Sequence, residues 1–119
     1  MAHGVQGQAH AGQVDAAVAR EVAQTMHALA TPSRVRILAR LRQSPCAVGE
    51  LASAVEMERS AVSQQLRVLR DLGLVIGERH GRSIVYALHD SHVADLLDQA
   101  VFHIEHLRLG YPERITTAS

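Results

Sequence analysis

The fold is decided by residues 48–72, which read VGELASAVEMERSAVSQQLRVLRDL. The first part of this stretch repeats apolar residues at positions i, i+3, i+4 and i+7, and this spacing predicts a short amphipathic helix. After a break at residues 56–59, the stretch from 60 to 72 predicts a second helix, again with one apolar face. Two short helices joined by a tight turn form a helix-turn-helix.

The second helix carries a polar face whose chemistry suits DNA. Hydroxyl, amide and guanidinium groups recur on that face at helical spacing, and such groups contact phosphates and base edges in a major groove. A polar surface that only faces solvent has the same pattern, so the spacing leaves both interpretations open. The DNA-binding residues predicted on this helix are Ser60, Ser63, Gln64, Gln65 and Arg67.

A β-hairpin is predicted directly after the second helix, with strands over residues 74–76 and 83–88. Glycine supplies the positive φ that a tight hairpin turn needs, so Gly81 marks the turn. Arg79 and Arg82 are expected at the tip of the hairpin, where they can reach a phosphate or the minor groove beside the helix-turn-helix. A solvated loop is the alternative.

Three further helices complete a mainly α-helical fold with a β-hairpin wing. One is predicted over about residues 14–29, the second begins at Thr31-Pro32, and the third follows residue 90. A threonine cap followed by proline is a typical helix start. We therefore expect a winged helix-turn-helix domain over residues 14–109, a flexible arm over residues 1–13 and a tail over residues 110–119.

Length and composition limit the class of protein. A chain of 119 residues with 47% apolar residues makes one small domain with a modest core, which a dimer interface would enlarge. No apolar run is long enough for a membrane span, no signal sequence is evident, and the single Cys46 allows no intrachain disulfide. A cytoplasmic protein without a membrane partner is therefore expected. Aromatic residues make up only 3% of the chain, too few for the stacking platform that single-stranded nucleic acid needs.

Charge is distributed unevenly, although the formal net charge is zero. Residues 59–82 contain five Arg against two acidic residues, whereas residues 83–119 contain two Arg against five acidic residues. The first segment is therefore the candidate face for double-stranded DNA. The second segment, which holds a cluster of His, suits a cation.

The C-terminal helix carries a spacing that is typical of metal ligands. His92 lies two residues after Asp90, and His106 lies three residues after His103. Ten residues separate His92 from His103. At a rise of ~1.5 Å per residue, His92 and His103 lie about 16 Å apart along the axis, too far for one metal ion bound at roughly 2 Å by each ligand. Two antiparallel copies of the helix would bring Asp90 and His92 of one chain beside His103 and His106 of the other, giving two symmetric sites in a homodimer. A solvated polar face with Asp90 as a helix cap is the alternative.

These stretches, together with residues 30–38 (ATPSRVRIL) and 81–86 (GRSIVY), resemble the ArsR/SmtB metalloregulators over about residues 14–107. The resemblance implies a winged-helix repressor, homodimeric through its N- and C-terminal helices, that metal releases from operator DNA. The family's thiolate site is not expected here, because the position of its key cysteine matches Ala47, and Cys46 lies one residue early. The resemblance implies that the metal ligands are Asp90, His92, His103 and His106.

The number of ligands decides which metal the site prefers. Three imidazoles and one carboxylate satisfy tetrahedral zinc, whereas nickel and cobalt commonly prefer six nitrogen or oxygen ligands. The resemblance is to the nickel- and cobalt-sensing members in particular, whose additional His positions hold Arg108 and Ile115 here. The missing ligands are expected from the arm, as the amine of Ala2 and the imidazole of His3, with a non-binding arm as the alternative. Ni(II) or Co(II) is the predicted metal, and Zn(II) is the alternative.

Three classes of function remain open. The first is a metal-responsive repressor, the second a winged-helix DNA-binding regulator that metal does not control, and the third a zinc hydrolase. The hydrolase is the weakest, because a catalytic zinc needs an open position in a pocket beside a general base and the chain is too short to build that pocket. We expect no enzyme activity and no organic small-molecule substrate.

Overall fold

A computed structural model describes residues 13–110 and contains, within that range, five helices and one three-stranded antiparallel sheet. This is the expected winged helix-turn-helix. The predicted arm and tail, and with them Ala2, His3 and Ile115, lie outside the described residues, apart from residues 13 and 110. The elements follow the chain as α1 (Ala16–Ala28), α2 (Pro32–Gln43), β1 (Cys46–Ala47), α3 (Val48–Val55), α4 (Arg59–Asp71), β2 (Val75–His80), β3 (Ser83–Leu88) and α5 (Ser91–Arg108).

Side-chain caps fix where the first two helices begin. The Asp15 carboxylate accepts a hydrogen bond at 2.9 Å from a backbone N–H in the first turn of α1, and the Thr31 hydroxyl accepts one at 3.3 Å in α2. Such caps satisfy N–H groups that the first turn of a helix leaves without a partner. Pro32 is the first residue of α2, so the predicted start of this helix is confirmed. The first helix begins at Ala16, slightly later than the predicted residue 14.

The apolar faces of α2, α3 and α4 meet in the core. Each helix contributes one apolar stripe, as its sequence periodicity predicts. Between α3 and α4 the chain turns at Glu56, which adopts the left-handed conformation with a φ of 56°. Helix α4 begins at Arg59, one residue before the predicted start. The residues that the three helices bury are Ile37, Leu38, Leu41, Leu51, Ala52, Val55, Val62, Leu66 and Leu69.

The wing is longer than the sequence predicts. The pairing of β2 with β3 continues as far as His80, so only Gly81 and Arg82 form the turn, and Gly81 has a φ of 66°. Arg79 therefore lies within β2 and not in the connecting segment, and the predicted strand over residues 74–76 was too short. All of β2 after its first residue is exposed. An exposed strand need not show the alternation of apolar and polar residues by which strands are recognised.

The sheet contains a third strand, which no sequence pattern indicated. Strand β1 consists only of Cys46 and Ala47, which pair with Tyr86 and Val85 of β3. A two-residue strand is too short to show any periodicity, which explains why the prediction missed it. The strand ties the start of α3 to the wing.

Within residues 13–110, the last helix, α5, makes few contacts with the other elements. Only Val93 and Leu97 among its residues are buried, and the Arg42 guanidinium of α2 forms an ion pair with Asp98 at 3.0 Å. An extended exposed apolar face on two helices marks an interaction surface. No helix between residues 13 and 110 is both long and apolar enough to cross a membrane. The large apolar residues left exposed on α1 and α5 are Val18, Val22, Met26, Leu96, Val101, Phe102, Ile104 and Leu107.

Candidate DNA-binding face and candidate metal site

Four of the five residues predicted to contact DNA from α4 lie together on its exposed side. Ser60, Ser63, Gln64 and Arg67 are all exposed, on the side of α4 opposite its buried residues. Hydroxyl, amide and guanidinium groups can donate and accept hydrogen bonds along the edges of bases in a major groove. The predicted spacing therefore produces one continuous polar surface.

Gln65, the fifth predicted contact, lies in a different environment. It is half-buried, and its Oε1 accepts a hydrogen bond from Arg34 Nε at 2.6 Å. The same guanidinium also donates to the Ala28 carbonyl at 3.4 Å. Gln65 thus ties α4 to the beginning of α2 and the end of α1, and it positions the helix instead of extending its exposed face.

The arginines near the helix-turn-helix fall into two groups. Those of α2 are all engaged with partners in the chain: Arg34 with Gln65, Arg36 with Glu56 at 3.6 Å, Arg40 with Glu50 at 3.5 Å and Arg42 with Asp98 at 3.0 Å. Those of α4 and the wing are exposed, and their positive charge is therefore available to an external anion such as the DNA backbone. The arginines whose side chains make no hydrogen bond or ion pair with another residue between 13 and 110 include Arg59, Arg67, Arg70, Arg79 and Arg82.

A cleft between α3, α4 and the wing brings two of these arginines to one place. It has a volume of about 480 Å³, and its lining includes Arg59, Ser63 and Arg82. Gly49 of α3 lies so close to the Arg59 guanidinium that a Cβ at this position would collide with it. Arg59 was not among the predicted DNA contacts, because the sequence pattern placed it in the turn. Its position in the basic segment 59–82 was the signal that could have identified it.

Asp90 uses its two carboxylate oxygens in different ways. Oδ1 caps α5 by accepting hydrogen bonds from the backbone N–H groups of His92 at 3.0 Å and Val93 at 3.2 Å. Oδ2 faces two imidazoles, with His89 Nδ1 at 3.3 Å and His92 Nδ1 at 3.5 Å. The hydrogen bond from Val93, with smaller contributions from His89 and His92, holds the pKa of Asp90 below its usual value, so the carboxyl is ionised near neutral pH. Capping and metal binding are therefore compatible, because they use different oxygens.

The spacing of the Asp90 and His92 donors suits a metal ion. Two ligands bound at roughly 2.0–2.1 Å to a tetrahedral metal lie about 3.3–3.4 Å apart. The 3.5 Å between Asp90 Oδ2 and His92 Nδ1 is similar to this separation. Zn(II), Ni(II) and Co(II) all accept a mixture of carboxylate and imidazole ligands. These two residues can thus supply two ligands from one end of α5.

The other two predicted ligands lie near the opposite end of α5. His103 is exposed, and His106 is half-buried with its ring centroid 5.9 Å from that of Phe102. Within residues 13–110 of a single chain, no group of three or more His, Cys, Asp or Glu side chains is placed to hold a metal ion. The predicted set of four ligands needs a second copy of the chain, and it stays a prediction.

Cys46 lies outside both candidate sites. It is buried in β1, and burial raises the pKa of its thiol. Because the thiolate is the form that binds metal, a buried thiol with a raised pKa is a poor ligand. The structure gives Cys46 a role in packing.

Comparison with known proteins finds one family of regulators. The family profile described as bacterial regulatory protein, arsR family, matches residues 31–76, from the cap of α2 to the start of the wing. The HTH-type transcriptional regulator NmtR of Mycobacterium tuberculosis is 56% identical over 119 residues, with 99% of each chain covered. A transcriptional repressor SmtB homolog of Synechocystis is 40% identical over 87 residues, which are 73% of this chain and 66% of that protein.

Two solved structures have the same fold. The solution structure of apo-NmtR matches with a TM-score of 0.70 at 57% identity, and 92% of each chain is covered. A homodimeric winged helix-turn-helix DNA-binding domain from Mycobacterium bovis, described as a possible ArsR-family transcriptional regulator, matches with a TM-score of 0.75 at 34% identity. That match covers 87% of this chain and 99% of the other.

Proposed function

Because the chain belongs to the arsR family of bacterial regulatory proteins, we propose that it is a homodimeric repressor that leaves its operator DNA when Ni(II) or Co(II) binds. The observation that carries the proposal is the placement of the four predicted ligands at the two ends of α5, a helix whose apolar face is exposed. By packing against a second copy, such a helix buries its apolar face and completes two metal sites at the same time.

A second copy of this chain fits the exposed apolar face of α1 and α5. Removing apolar surface from water stabilises an assembly by roughly 25 cal/mol per Å². A groove of about 530 Å³ among α1, α2 and α5, lined mainly by apolar side chains, offers the second copy a surface to fill. The related domain from Mycobacterium bovis is described as homodimeric. In the proposed dimer the two-fold axis is perpendicular to the α5 helices, so these helices run antiparallel and each contact occurs twice.

The arginines of α4 and the wing support the proposal that the dimer binds double-stranded DNA. Helix α4 would enter the major groove with Gln64 and Arg67 facing base edges, while Arg59 and Arg82 contact phosphates. The two-fold axis of the dimer relates the two α4 helices. The operator should therefore be an inverted repeat with half-sites about one helical turn apart.

In the proposed metal site, Asp90 and His92 of one chain act together with His103 and His106 of the other. A bound divalent ion would hold donors from both chains in one coordination sphere, and this is the chemistry that it supplies. Asp90 keeps its Oδ1 on the backbone of α5, so the ligand is rigidly joined to the helix.

Two contacts connect α5 to the DNA-binding helix. The Arg42–Asp98 ion pair joins α5 to α2, and the Arg34–Gln65 hydrogen bond joins α2 to α4. A change in the packing of the two α5 helices can therefore move the whole DNA-binding unit, including α4, relative to that of the other copy. To release the dimer from DNA, the metal must bind more tightly to the conformation that has low affinity for DNA. The coupling free energy between metal binding and DNA binding is typically about 1–3 kcal/mol.

The preference for Ni(II) or Co(II) rests on the number of ligands. Four ligands from α5 satisfy Zn(II), and Ala2 and His3 of the arm would add the two that six-coordinate Ni(II) or Co(II) takes. Zn(II) with the same α5 ligands is the second candidate. The relatives are named as transcriptional regulators, which favours a regulator over a zinc hydrolase. The proposed place of action is the cytoplasm, where the operator DNA of a bacterium lies.

Fluorescence anisotropy with a DNA fragment selected by the metal-free protein tests this function. Ni(II) or Co(II) should lower operator affinity by about 5–150-fold. His103→Ala should bind the fragment as well as the wild type does but should lose the metal response, because His103 lies on α5 and not on the DNA-binding face. The matched control is His27→Ala on α1, which should respond to metal like the wild type. If His103→Ala is still released by metal, the regulatory site lies elsewhere, and an unresponsive wild type would indicate a regulator that metal does not control.

A further inference from the structure

His89 occupies a fixed position between the wing and α5. It directly follows β3, and its backbone N–H donates a hydrogen bond to the Leu74 carbonyl at 3.0 Å. This bond holds the backbone immediately before Asp90, the cap of α5. The side chain of His89 is about half exposed, at 48%, so substitution there disturbs no packed core.

The imidazole of His89 faces the carboxylate oxygen that the α5 cap leaves available. Asp90 Oδ1 is occupied by two backbone N–H groups, whereas Oδ2 lies 3.3 Å from His89 Nδ1 and 3.5 Å from His92 Nδ1. A carboxylate oxygen has two lone-pair directions. One can accept a hydrogen bond from His89 while the other stays directed at the position that His92 also faces.

We propose that His89 is a positioning residue of the metal site, which donates a hydrogen bond from Nδ1–H to Asp90 Oδ2 and fixes the direction of that ligand. The inference rests on the proposed function, since it gives His89 a role only where Asp90 binds metal. Hydrogen-bond partners of ligating groups fix their orientation, and removing such a partner typically lowers metal affinity by about 10–100-fold. His89 holds Asp90 from the wing side and Oδ1 holds it from the helix side. Together the two contacts restrict rotation of the carboxylate.

Metal titrations of the full-length protein in competition with a chelator test the role of His89. His89→Phe removes the donor, and it should lower Ni(II), Co(II) and Zn(II) affinity by about 10–100-fold without changing the circular dichroism of the metal-free protein. His89→Asn should restore most of the affinity, because the side-chain nitrogen of Asn can donate from nearly the same place as Nδ1. The matched control is His80→Phe, since His80 also lies beside a carboxylate, with Glu78 at 3.4 Å, but at the tip of the wing, at the opposite end of β3 from α5.

The visible absorption of the Co(II) protein separates a positioning residue from a ligand. His89→Asn should keep the band positions and intensity of the wild type, because the ligands are unchanged. If His89→Phe binds metal as tightly as the wild type, His89 has no role in the site. If His89→Asn is as weak as His89→Phe and its Co(II) spectrum differs from that of the wild type, His89 is itself a ligand and the positioning role is wrong. A wild-type protein that binds none of the three metals would instead overturn the proposed function, and this inference with it.

Discussion

Replacing Arg59 by Gln gives a quantitative test of the DNA-binding face. Arg59 lines the same cleft as Ser63 and Arg82, and its side chain makes no hydrogen bond or ion pair with another residue between 13 and 110. If the Arg59 guanidinium contacts a phosphate, its positive charge displaces counterions from DNA. Arg59→Gln removes that charge. The change should appear in the salt dependence of binding, which reports the number of phosphates neutralised.

The size of the effect follows from the symmetry of the proposed dimer. A two-fold dimer presents Arg59 twice, so the substitution removes two phosphate contacts. The slope of log K against log salt concentration is about −0.9 per contact, and it should therefore become less steep by about 1.8. When the salt concentration rises four-fold, from 50 to 200 mM, two such contacts lower the affinity of the wild type by about twelve-fold. The variant lacks these contacts and would not show this part of the loss.

Anisotropy titrations at several salt concentrations measure this slope for the wild type and for each variant. Arg20→Gln is the matched control, because Arg20 is an exposed arginine of α1 outside the cleft, and its slope should equal that of the wild type. Gly49→Ala should reproduce part of the Arg59→Gln effect, since the added methyl group displaces the guanidinium. An unchanged slope for Arg59→Gln, beside a reduced slope for Arg82→Gln, would show that the wing alone reaches the phosphates and would refute this reasoning.

Three further substitutions or deletions test the two candidate sites. Gln64→Ala should weaken binding to the operator by roughly 1–3 kcal/mol and leave binding to random DNA unchanged, because a base contact carries specificity. Competition assays measure both affinities. An equal loss of affinity for operator and random DNA would show that Gln64 does not contact a base. Asp90→Ser should keep the melting temperature of the wild type, since serine also caps helices, but it should bind Ni(II) more weakly because a ligand is lost. Titration calorimetry measures this affinity, and a variant that binds Ni(II) as tightly as the wild type would exclude Asp90 as a ligand. Deleting residues 2–10 should leave Zn(II) affinity nearly unchanged and lower Ni(II) affinity, and equal Ni(II) affinity in both proteins would contradict the six-coordinate site.

The helix-turn-helix could be predicted because its information is local. Leu51 and Val55 of α3, like Leu66 and Leu69 of α4, repeat at helical spacing, and each pair lies in the core as the spacing indicates. The wing was predicted only in outline, because β2 is exposed and its polar residues lack the alternation of a half-buried strand.

The candidate sites depend on contacts between distant parts of the chain, and these could not be derived from spacing. Gln64 and Gln65 are adjacent and chemically identical, but successive residues are about 100° apart around a helix. Gln64 is therefore exposed, whereas Gln65 meets Arg34, 31 residues earlier in the chain. The predicted metal site goes one step further, because its ligands are expected from two copies of the chain, and residues 13–110 of one copy bring no three such side chains together.

The weak attachment of α5 to its own chain explains why this helix suits a sensor. Helix α5 buries only Val93 and Leu97, and an exposed ion pair such as Arg42–Asp98 contributes little in water. Most of the apolar surface of α5 is exposed in one chain, so the position of α5 in the proposed dimer depends on how the two copies pack. In the proposed site, an ion shared between the copies would act directly on that packing without disturbing the core formed by α2, α3 and α4. The DNA-binding unit can thus stay rigid while the proposed metal site changes the distance and angle between its two copies.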